Sequence, residues 1–203
     1  MPYFSYLKDN DGIQDVMRLD RDRYGPLSRT VQNIMRSESQ LSVADRELLG
    51  AYVSGLNQCQ FCHNSHVAFA EGHGIDPAVF GPLLKDVELA PVEARLKPVL
   101  NFAQKLTLAP YKITRQDYDA TRNAGWSERA LSDAVAVVAL FNFFNRIVEG
   151  HGIRAPSAED LRRNADIMIN AGYSVRAIVA YVIKRRIKRS FGRLGDLLQR
   201  NIG

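Results

Sequence analysis

Residues 47–66 read ELLGAYVSGLNQCQFCHNSH and contain both cysteines of the 203-residue chain and two of its four histidines. Cys59 and Cys62 form a C-x-x-C pair. His63 is the next residue, and His66 lies three positions after it. Helical residues three or four positions apart lie on one face, so the four side chains share a single stripe. This stripe of thiols and imidazoles indicates chemistry rather than packing alone.

Several chemistries use such a pattern. The string CQFCH at residues 59–63 matches the attachment signature of a c-type haem. Two cysteines and two histidines in one short segment are also zinc ligands. A C-x-x-C pair can equally serve thiol–disulfide exchange, in which one thiolate attacks and the other resolves. The remaining interpretation is structural, with two buried cysteines acting as small hydrophobic residues.

The context of the motif favours the redox pair. Haem attachment requires export, and residues 1–14 contain no basic region followed by an apolar segment. Zinc bound by one continuous helix face is strained, because structural sites usually take their ligands from two elements. We therefore expect no metal and no cofactor.

The helix that carries the cysteines is expected to begin just before them. Asn57 is a plausible N-cap, which would put Cys59 and Cys62 in the first turn. There the unpaired N–H groups and the positive end of the helix dipole favour a thiolate.

Composition predicts one globular protein without a membrane span. The chain is 46% hydrophobic, which is enough for a core, and its longest uninterrupted apolar run is residues 134–141. We expect a cytoplasmic location, where a C-x-x-C pair stays reduced between turnovers. The net charge of +5 is local, since six cations lie within ten residues: Lys184, Arg185, Arg186, Lys188, Arg189 and Arg193.

Helical periodicity occurs almost throughout the chain and no convincing alternating strand does, so the predicted fold is all-α. A helix is expected to start near Pro91, and Pro156-Ser157 is the best linker candidate. This divides the chain into a helical core, residues 1–153, and a C-terminal helical extension, residues 154–203. The basic cluster at 184–193 is interpreted as a solvated or subunit-facing surface, with nucleic acid or an anionic surface as the alternative partner.

The central motif also resembles a known family. Glu47, twelve positions before Cys59, and the pattern C-x-x-C-x-x-x-H ending at His66 resemble the active site of AhpD-like alkylhydroperoxidases, in the carboxymuconolactone decarboxylase superfamily. LSVADRELLGAYVSGLNQCQFC at 41–62 resembles the helix–turn–helix of the peroxidase-related branch. LSDAVAVVALFNFFNRIVEGHG at 131–152 resembles its second signature helix. The resemblance covers roughly residues 41–152.

The resemblance implies an AhpD-like helical bundle that forms homo-oligomers and reduces hydroperoxides. Cys62 would react with the peroxide, Cys59 would resolve it, and Glu47 with His66 would form the proton relay. A small-molecule or protein dithiol would then reduce the disulfide. The founding enzymes carry a further histidine where this chain has Phe61, and His63 is the candidate to replace it in the relay.

Two other functions stay open at this point. One is a decarboxylase or lactone-processing activity, which would use the shared helices without the cysteine pair, and the presence of both cysteines weighs against it. The other is a non-enzymatic redox sensor or disulfide-exchange protein, whose basic tail binds a partner when the disulfide forms.

Overall fold

The structure is a computed structural model that describes the backbone of residues 1–200 and the side chains of residues 1–188. Within that part the chain is helical and forms no strand, which confirms the all-α prediction. The helices are α1 (Ile13–Leu19), α2 (Arg21–Tyr24), α3 (Leu27–Arg36), α4 (Val43–Leu56), α5 (Gln60–Gly72), α6 (Phe80–Lys85), α7 (Lys97–Leu108), α8 (Arg115–Asn123), α9 (Glu128–His151), α10 (Ala158–Ala171) and α11 (Val175–Arg200).

The prediction of a helix starting near Pro91 was wrong, because α7 begins at Lys97. A short 3₁₀ turn, Ala94–Leu96, precedes it. Pro98 lies in the first turn of α7, where its missing N–H leaves no intrahelical hydrogen bond unmade.

The helices α4 and α9 form the centre of the bundle. In α4 the buried residues run without a break from 46 to 54, so the helix is surrounded by neighbours on nearly all sides. It begins with a capping box between Ser42 and Asp45, which bonds the first free N–H groups of the helix. The packing of α4 against α5 and α9 fixes the two helices that carry Glu47 and the cysteine motif.

Asn57 does not cap α5, contrary to the prediction from the sequence. It is the C-cap of α4, and its side-chain amide donates to Asn142 at 3.1 Å and to Asn145 at 2.9 Å. Asn145 is buried and donates in turn to Ser54 at 3.0 Å. A buried amide needs such partners, so Asn57 bonds to α9 and Cys59 becomes the N-cap of α5.

By length and composition, α9 is apolar enough to cross a membrane. Half of its most apolar 18-residue window is buried against the rest of the molecule. Val137, Val138 and Phe141 pack into the main hydrophobic core of the described residues. This burial is the pattern of a central bundle helix.

The C-terminal extension packs back onto the core, with α10 against α5 and α11 against α10. Within the basic cluster, Arg185 bonds to Asp166 of α10. The side chains of Arg189 and Arg193 lie outside the described residues. The domain boundary after residue 153, the oligomeric state and the partner of the basic cluster remain predictions.

Candidate active site

The two cysteines lie at the beginning of α5. Cys59 is the N-cap, with its backbone N–H bonded to the Ser54 carbonyl at 2.9 Å, and Cys62 is the third helical residue. Both are free thiols and both are buried. They belong to a small apolar cluster that the N-terminal segment and the end of α9 complete, through residues such as Leu7 and Val148. Cys62 therefore lies in the first turn of α5, as predicted, whereas Cys59 is the N-cap just before that turn.

The thiol of Cys59 is held in its protonated form. A hydrogen bond with Cys62 raises the pKa of Cys59 most, burial raises it further, and a hydrogen bond with the Glu149 carboxylate adds to both. The helix N-terminus therefore does not make Cys59 a thiolate, contrary to the simple dipole argument.

Glu47 and His66 form a buried pair, and His66 lines the same cavity as Cys62. The carboxylate Oε2 lies 2.6 Å from His66 Nδ1, and the Glu47 side chain is fully buried. Burial raises the pKa of Glu47, but His66 and then Arg36 outweigh it and hold the pKa below its ordinary value. Because the carboxylate is ionised and can only accept, Nδ1 of His66 donates to it. The Nε2 atom is then the ring nitrogen left to exchange a proton.

Two further residues complete this pair, and the sequence analysis missed both. Arg36, at the end of α3, bonds through NH2 to Glu47 Oε1 at 2.7 Å. Tyr173, between α10 and α11, donates its hydroxyl to Oε1 at 2.9 Å and lies 3.5 Å from His66 Nδ1. The Arg36 guanidinium also stacks over the Tyr173 ring at 4.8 Å. Glu47 therefore has three partners, from α3, α5 and the C-terminal extension.

The turn before α11 positions Tyr173 in this network. Its backbone N–H donates to the Gln32 side chain of α3 at 2.7 Å. Gly172 has a φ of +64°, and a Cβ atom there would lie 2.9 Å from Gln32 Oε1. A left-handed conformation this close to α3 favours glycine. In the sequence, the dipeptide Gly172-Tyr173 is the local feature that accompanies the contact between Tyr173 and Glu47.

Aromatic rings hold the His66 imidazole in place. Phe69 and Phe141 meet it edge-on at centroid distances of 5.0 Å and 4.4 Å, and Tyr173 stacks parallel at 6.4 Å. Phe141 comes this close because it packs over Gly50 of α4, where a Cβ atom would lie 2.6 Å from the ring. The ring orientation therefore depends on the absence of a side chain at residue 50.

His63 contacts a different part of the molecule. Its Nδ1 lies 2.8 Å from the Ala51 carbonyl oxygen and its ring meets Phe80 edge-on. Phe61 packs with the N-terminal segment, since a Cβ atom on Gly12 would lie 3.4 Å from its ring. Glu47 and His66 are therefore in contact. The described contacts of His63 are instead with Ala51 of α4 and Phe80 of α6.

A metal centre was one of the interpretations of this motif. Within the side chains that the structure describes, no three His, Cys, Asp or Glu residues gather closely enough to hold a metal ion. The Nδ1 atoms of His63 and His66 are bonded to different partners, Ala51 and Glu47.

A cavity of about 620 Å³ opens onto the candidate site. Cys62, His66 and Tyr173 all contribute to its wall, so a molecule in the cavity meets the thiol and the relay together. This volume falls within the usual range for small-molecule sites, about 300–1,000 Å³.

Comparison with known proteins finds a family match over part of the chain. Residues 26–86 match the carboxymuconolactone decarboxylase family, a range that includes Arg36, Glu47, both cysteines and His66. No curated protein matches the chain. Tyr173 lies outside the matched range.

Three solved structures share the fold. An uncharacterised peroxidase-related protein from Silicibacter sp. is 28% identical, with a TM-score of 0.67 over 72% of this chain and 76% of that one. An uncharacterised peroxidase-related protein from Ralstonia eutropha, described as an alkylhydroperoxidase AhpD core, is 24% identical, with a TM-score of 0.66 and the same coverage. A protein of unknown function from Agrobacterium tumefaciens, described as a candidate AhpD antioxidant defence protein, is 18% identical, with a TM-score of 0.59 over 74% of this chain and 99% of that one. The last two support the fold alone. The family match over residues 26–86 and the fold shared with the peroxidase-related protein from Silicibacter sp. together support the resemblance drawn from the cysteine motif, to AhpD-like proteins of the carboxymuconolactone decarboxylase superfamily.

Proposed function

We propose that the protein is a thiol-dependent peroxidase that reduces hydroperoxides at Cys62 and forms a Cys59–Cys62 disulfide. One observation carries the proposal. The buried 2.6 Å contact between Glu47 and His66 lies in a site that also contains Cys62, and His66 and Cys62 line one cavity.

In the proposed reaction, the Cys62 sulfur attacks the peroxide, and His66 with Glu47 supplies the proton. The Cys62 thiolate attacks the terminal oxygen of the hydroperoxide, an S–O bond forms, and the O–O bond breaks. The departing alkoxide takes a proton from His66 Nε2 and leaves as an alcohol. Cys62 is then a sulfenic acid, and Glu47 stabilises the charge that the imidazole carries during the transfer.

A relay is needed because ionising the thiol is not sufficient. An ordinary thiol with a pKa of about 8.5 is roughly 3% ionised at pH 7. Lowering the pKa raises that fraction but reduces the nucleophilicity of the sulfur, so the net gain is only a few-fold. A positioned proton donor contributes about 10²–10⁴-fold. The geometry around His66 supports this larger contribution.

The second half of the cycle uses Cys59. Its sulfur attacks Cys62, the S–O bond breaks, and hydroxide leaves as water after gaining a proton. Glu149, whose carboxylate is among the causes of the raised pKa of Cys59, is the group we propose to accept the proton of that thiol. A dithiol donor, either a small molecule or a protein, then reduces the disulfide by exchange and is itself oxidised. Such a donor fits a cytoplasmic location.

A steady-state peroxidase assay with several dithiol donors tests the proposal. Wild type should turn over repeatedly and Cys62→Ser should be inactive. Cys59→Ser should be oxidised once to a sulfenic acid, which dimedone traps and mass spectrometry locates at residue 62. Wild type that consumes a single equivalent of peroxide and stops with every donor would instead favour the redox sensor. Peroxidase activity that survives Cys62→Ser would mean that Cys62 is not the residue that reacts with the peroxide.

Self-association is part of the same proposal. Four apolar residues of α11 recur every fourth position and are each more than half exposed: Val175, Val179, Ile183 and Ile187. An exposed apolar row of this kind typically marks a contact surface. Light scattering coupled to size exclusion should give a mass above the 22.8 kDa of one chain, and Ile183→Glu with Ile187→Glu should lower it.

A further inference from the structure

The cavity beside Cys62 is much larger than the simplest peroxide requires. Its volume is about 620 Å³, whereas a water molecule occupies about 30 Å³ of liquid. Hydrogen peroxide is only slightly larger than water, so it would fill a small part of this space. The volume fits an organic substrate.

The wall of the cavity is mainly apolar. It draws side chains from the N-terminal helices, from α5 and α9, and from the C-terminal extension, including Ile13, Met17, Phe61, Phe69, Phe144 and Val179. Burial of hydrocarbon against such a wall favours binding by roughly 0.8 kcal/mol for each methylene group. It therefore favours a substrate with an acyl or alkyl chain.

The permanent charges on the wall are all of one sign. Among the described side chains that line the cavity, Arg18 and Arg21 are the permanently charged ones, and no carboxylate lines it. Arg18 bonds to Asp15 at 3.2 Å, but its side chain is 66% exposed, and an exposed pair of this kind contributes little and exchanges readily. Both arginines are exposed while Cys62 is buried. The cavity thus has a cationic mouth and a reactive inner end.

The two ends are separated by the length of α1. The start of this helix lies against Phe61, next to Cys62 in sequence. Arg18 is in its last turn, roughly 8 Å along the axis at about 1.5 Å per residue. A chain of several carbons between an acidic group and a hydroperoxide spans such a distance.

We propose that the cavity binds an amphiphilic hydroperoxide with a carboxylate head group, of the fatty-acid hydroperoxide class. This inference rests on the proposed peroxidase function. The carboxylate bonds to Arg18 and Arg21, the chain lies along the apolar wall, and the hydroperoxide meets Cys62. Transfer of its terminal oxygen to Cys62 breaks the O–O bond, and the alkoxide, protonated through His66, leaves as a hydroxy fatty acid.

The test compares linoleic acid hydroperoxide with its methyl ester, both below their critical micelle concentrations. The ester keeps the chain and the peroxide but removes the charge. Wild type should have a kcat/KM for the acid at least about tenfold above that for the ester, the effect expected of charge-assisted hydrogen bonds. The acid-to-ester ratio should fall to about one in the Arg18→Gln, Arg21→Gln double variant. Arg23→Gln is the matched control, because Arg23 is an exposed arginine of α2 that does not line the cavity.

A binding measurement provides a readout besides activity. The fluorescent fatty acid cis-parinaric acid should bind to the wild type, be displaced by linoleate and not by its methyl ester, and bind more weakly to the double variant. Failure of parinaric acid to bind would overturn the inference and would point to a second copy of the chain covering the cavity.

The outcomes separate this inference from the function on which it rests. If the wild type reduces hydrogen peroxide and tert-butyl hydroperoxide but treats acid and ester alike, the substrate class is wrong and the peroxidase function stands. If no hydroperoxide is turned over with any dithiol donor, the proposed peroxidase function is wrong, and the substrate proposal that rests on it is wrong as well.

Discussion

Tyr173 donates its hydroxyl to the Glu47 carboxylate at 2.9 Å, although 126 positions separate the two residues in sequence. The bond joins the C-terminal extension to the centre of the candidate active site. Burial raises the pKa of Tyr173 well above its ordinary value, and the charge of Glu47 adds to this. The phenol is therefore a neutral donor that holds Glu47 in place beside His66.

Removing that hydroxyl should weaken the relay. Tyr173→Phe keeps the ring but leaves Glu47 one hydrogen bond short, and such bonds to charged groups contribute about 1.5–3 kcal/mol. We expect kcat/KM for hydroperoxide reduction to fall about tenfold, equivalent to about 1.4 kcal/mol of transition-state stabilisation. The pH–rate profile should shift as well, because Glu47 and His66 lose a shared partner.

Tyr181→Phe is the control for this substitution. Tyr181 also bonds to a carboxylate, that of Asp166 at 3.1 Å, but between α10 and α11 and away from His66. Loss of the Tyr181 hydroxyl should leave the pH–rate profile of hydroperoxide reduction unchanged. Equal effects of the two substitutions on kcat/KM and on that profile would mean that Tyr173 has only a structural role.

The buried Glu47 should make stability depend on acid pH. Its pKa is lower in the folded protein than the ordinary value of 4.5. The ionised carboxylate therefore stabilises the fold fully above about pH 4.5, and this contribution is lost as the pH falls below that value towards the folded pKa. Urea unfolding from about pH 7 to about pH 3 should show this decline.

Glu47→Gln should flatten the acid decline, and it should also lower stability by about 3–5 kcal/mol near neutral pH, because Arg36 loses its buried counter-ion. Glu88→Gln is the matched control, since Glu88 pairs with Lys97 at 3.5 Å while 63% exposed. That surface pair is worth about 0–1 kcal/mol. An acid decline as steep in Glu47→Gln as in the wild type would contradict the lowered pKa.

Gly50 should be intolerant of even a methyl group. A Cβ atom there would meet the Phe141 ring at 2.6 Å, and that ring contacts His66. We expect Gly50→Ala to lower the free energy of unfolding by about 1–3 kcal/mol, the range for overpacking, and to reduce kcat by moving the imidazole. Thermal unfolding and the peroxidase assay measure the two effects.

Gly81→Ala is the control for that prediction. A Cβ atom at Gly81 of α6 would have no heavy atom within 4 Å, and alanine is the better helix former by about 1 kcal/mol. Its stability should be unchanged or slightly raised. Unfolding data that rank the two alanine variants equally would remove the argument for close packing at Gly50.

The two thiols should differ in their rate of alkylation. Cys62 lines the cavity, whereas Cys59 is fully buried and its pKa is raised. Iodoacetamide at neutral pH should therefore label Cys62 well before Cys59, as measured by peptide mass spectrometry. The unfolded protein should label both at similar rates. Faster labelling of Cys59 in the folded protein would reverse the roles proposed for the two cysteines.

Local signals account for much of what the sequence predicted. The four-residue spacing between Cys62 and His66 requires only that α5 be a helix, whereas Glu47 was predicted from the resemblance to the AhpD-like motif. The error at Asn57 has a different origin. A residue between two helices can cap either one, and the partners that decided its role, Asn142 and Asn145, lie 85 and 88 positions away.

The sequence by itself determined an all-helical fold and a helix that carries the cysteine pair, because helical period acts over a few residues. The tertiary structure alone decided that Arg36 and Tyr173 share the carboxylate of Glu47, and that His63 bonds to Ala51. These contacts depend on how α3, α5 and the C-terminal extension pack together. The spacing of Arg36 and Tyr173 relative to the cysteine motif gave no sign of these contacts.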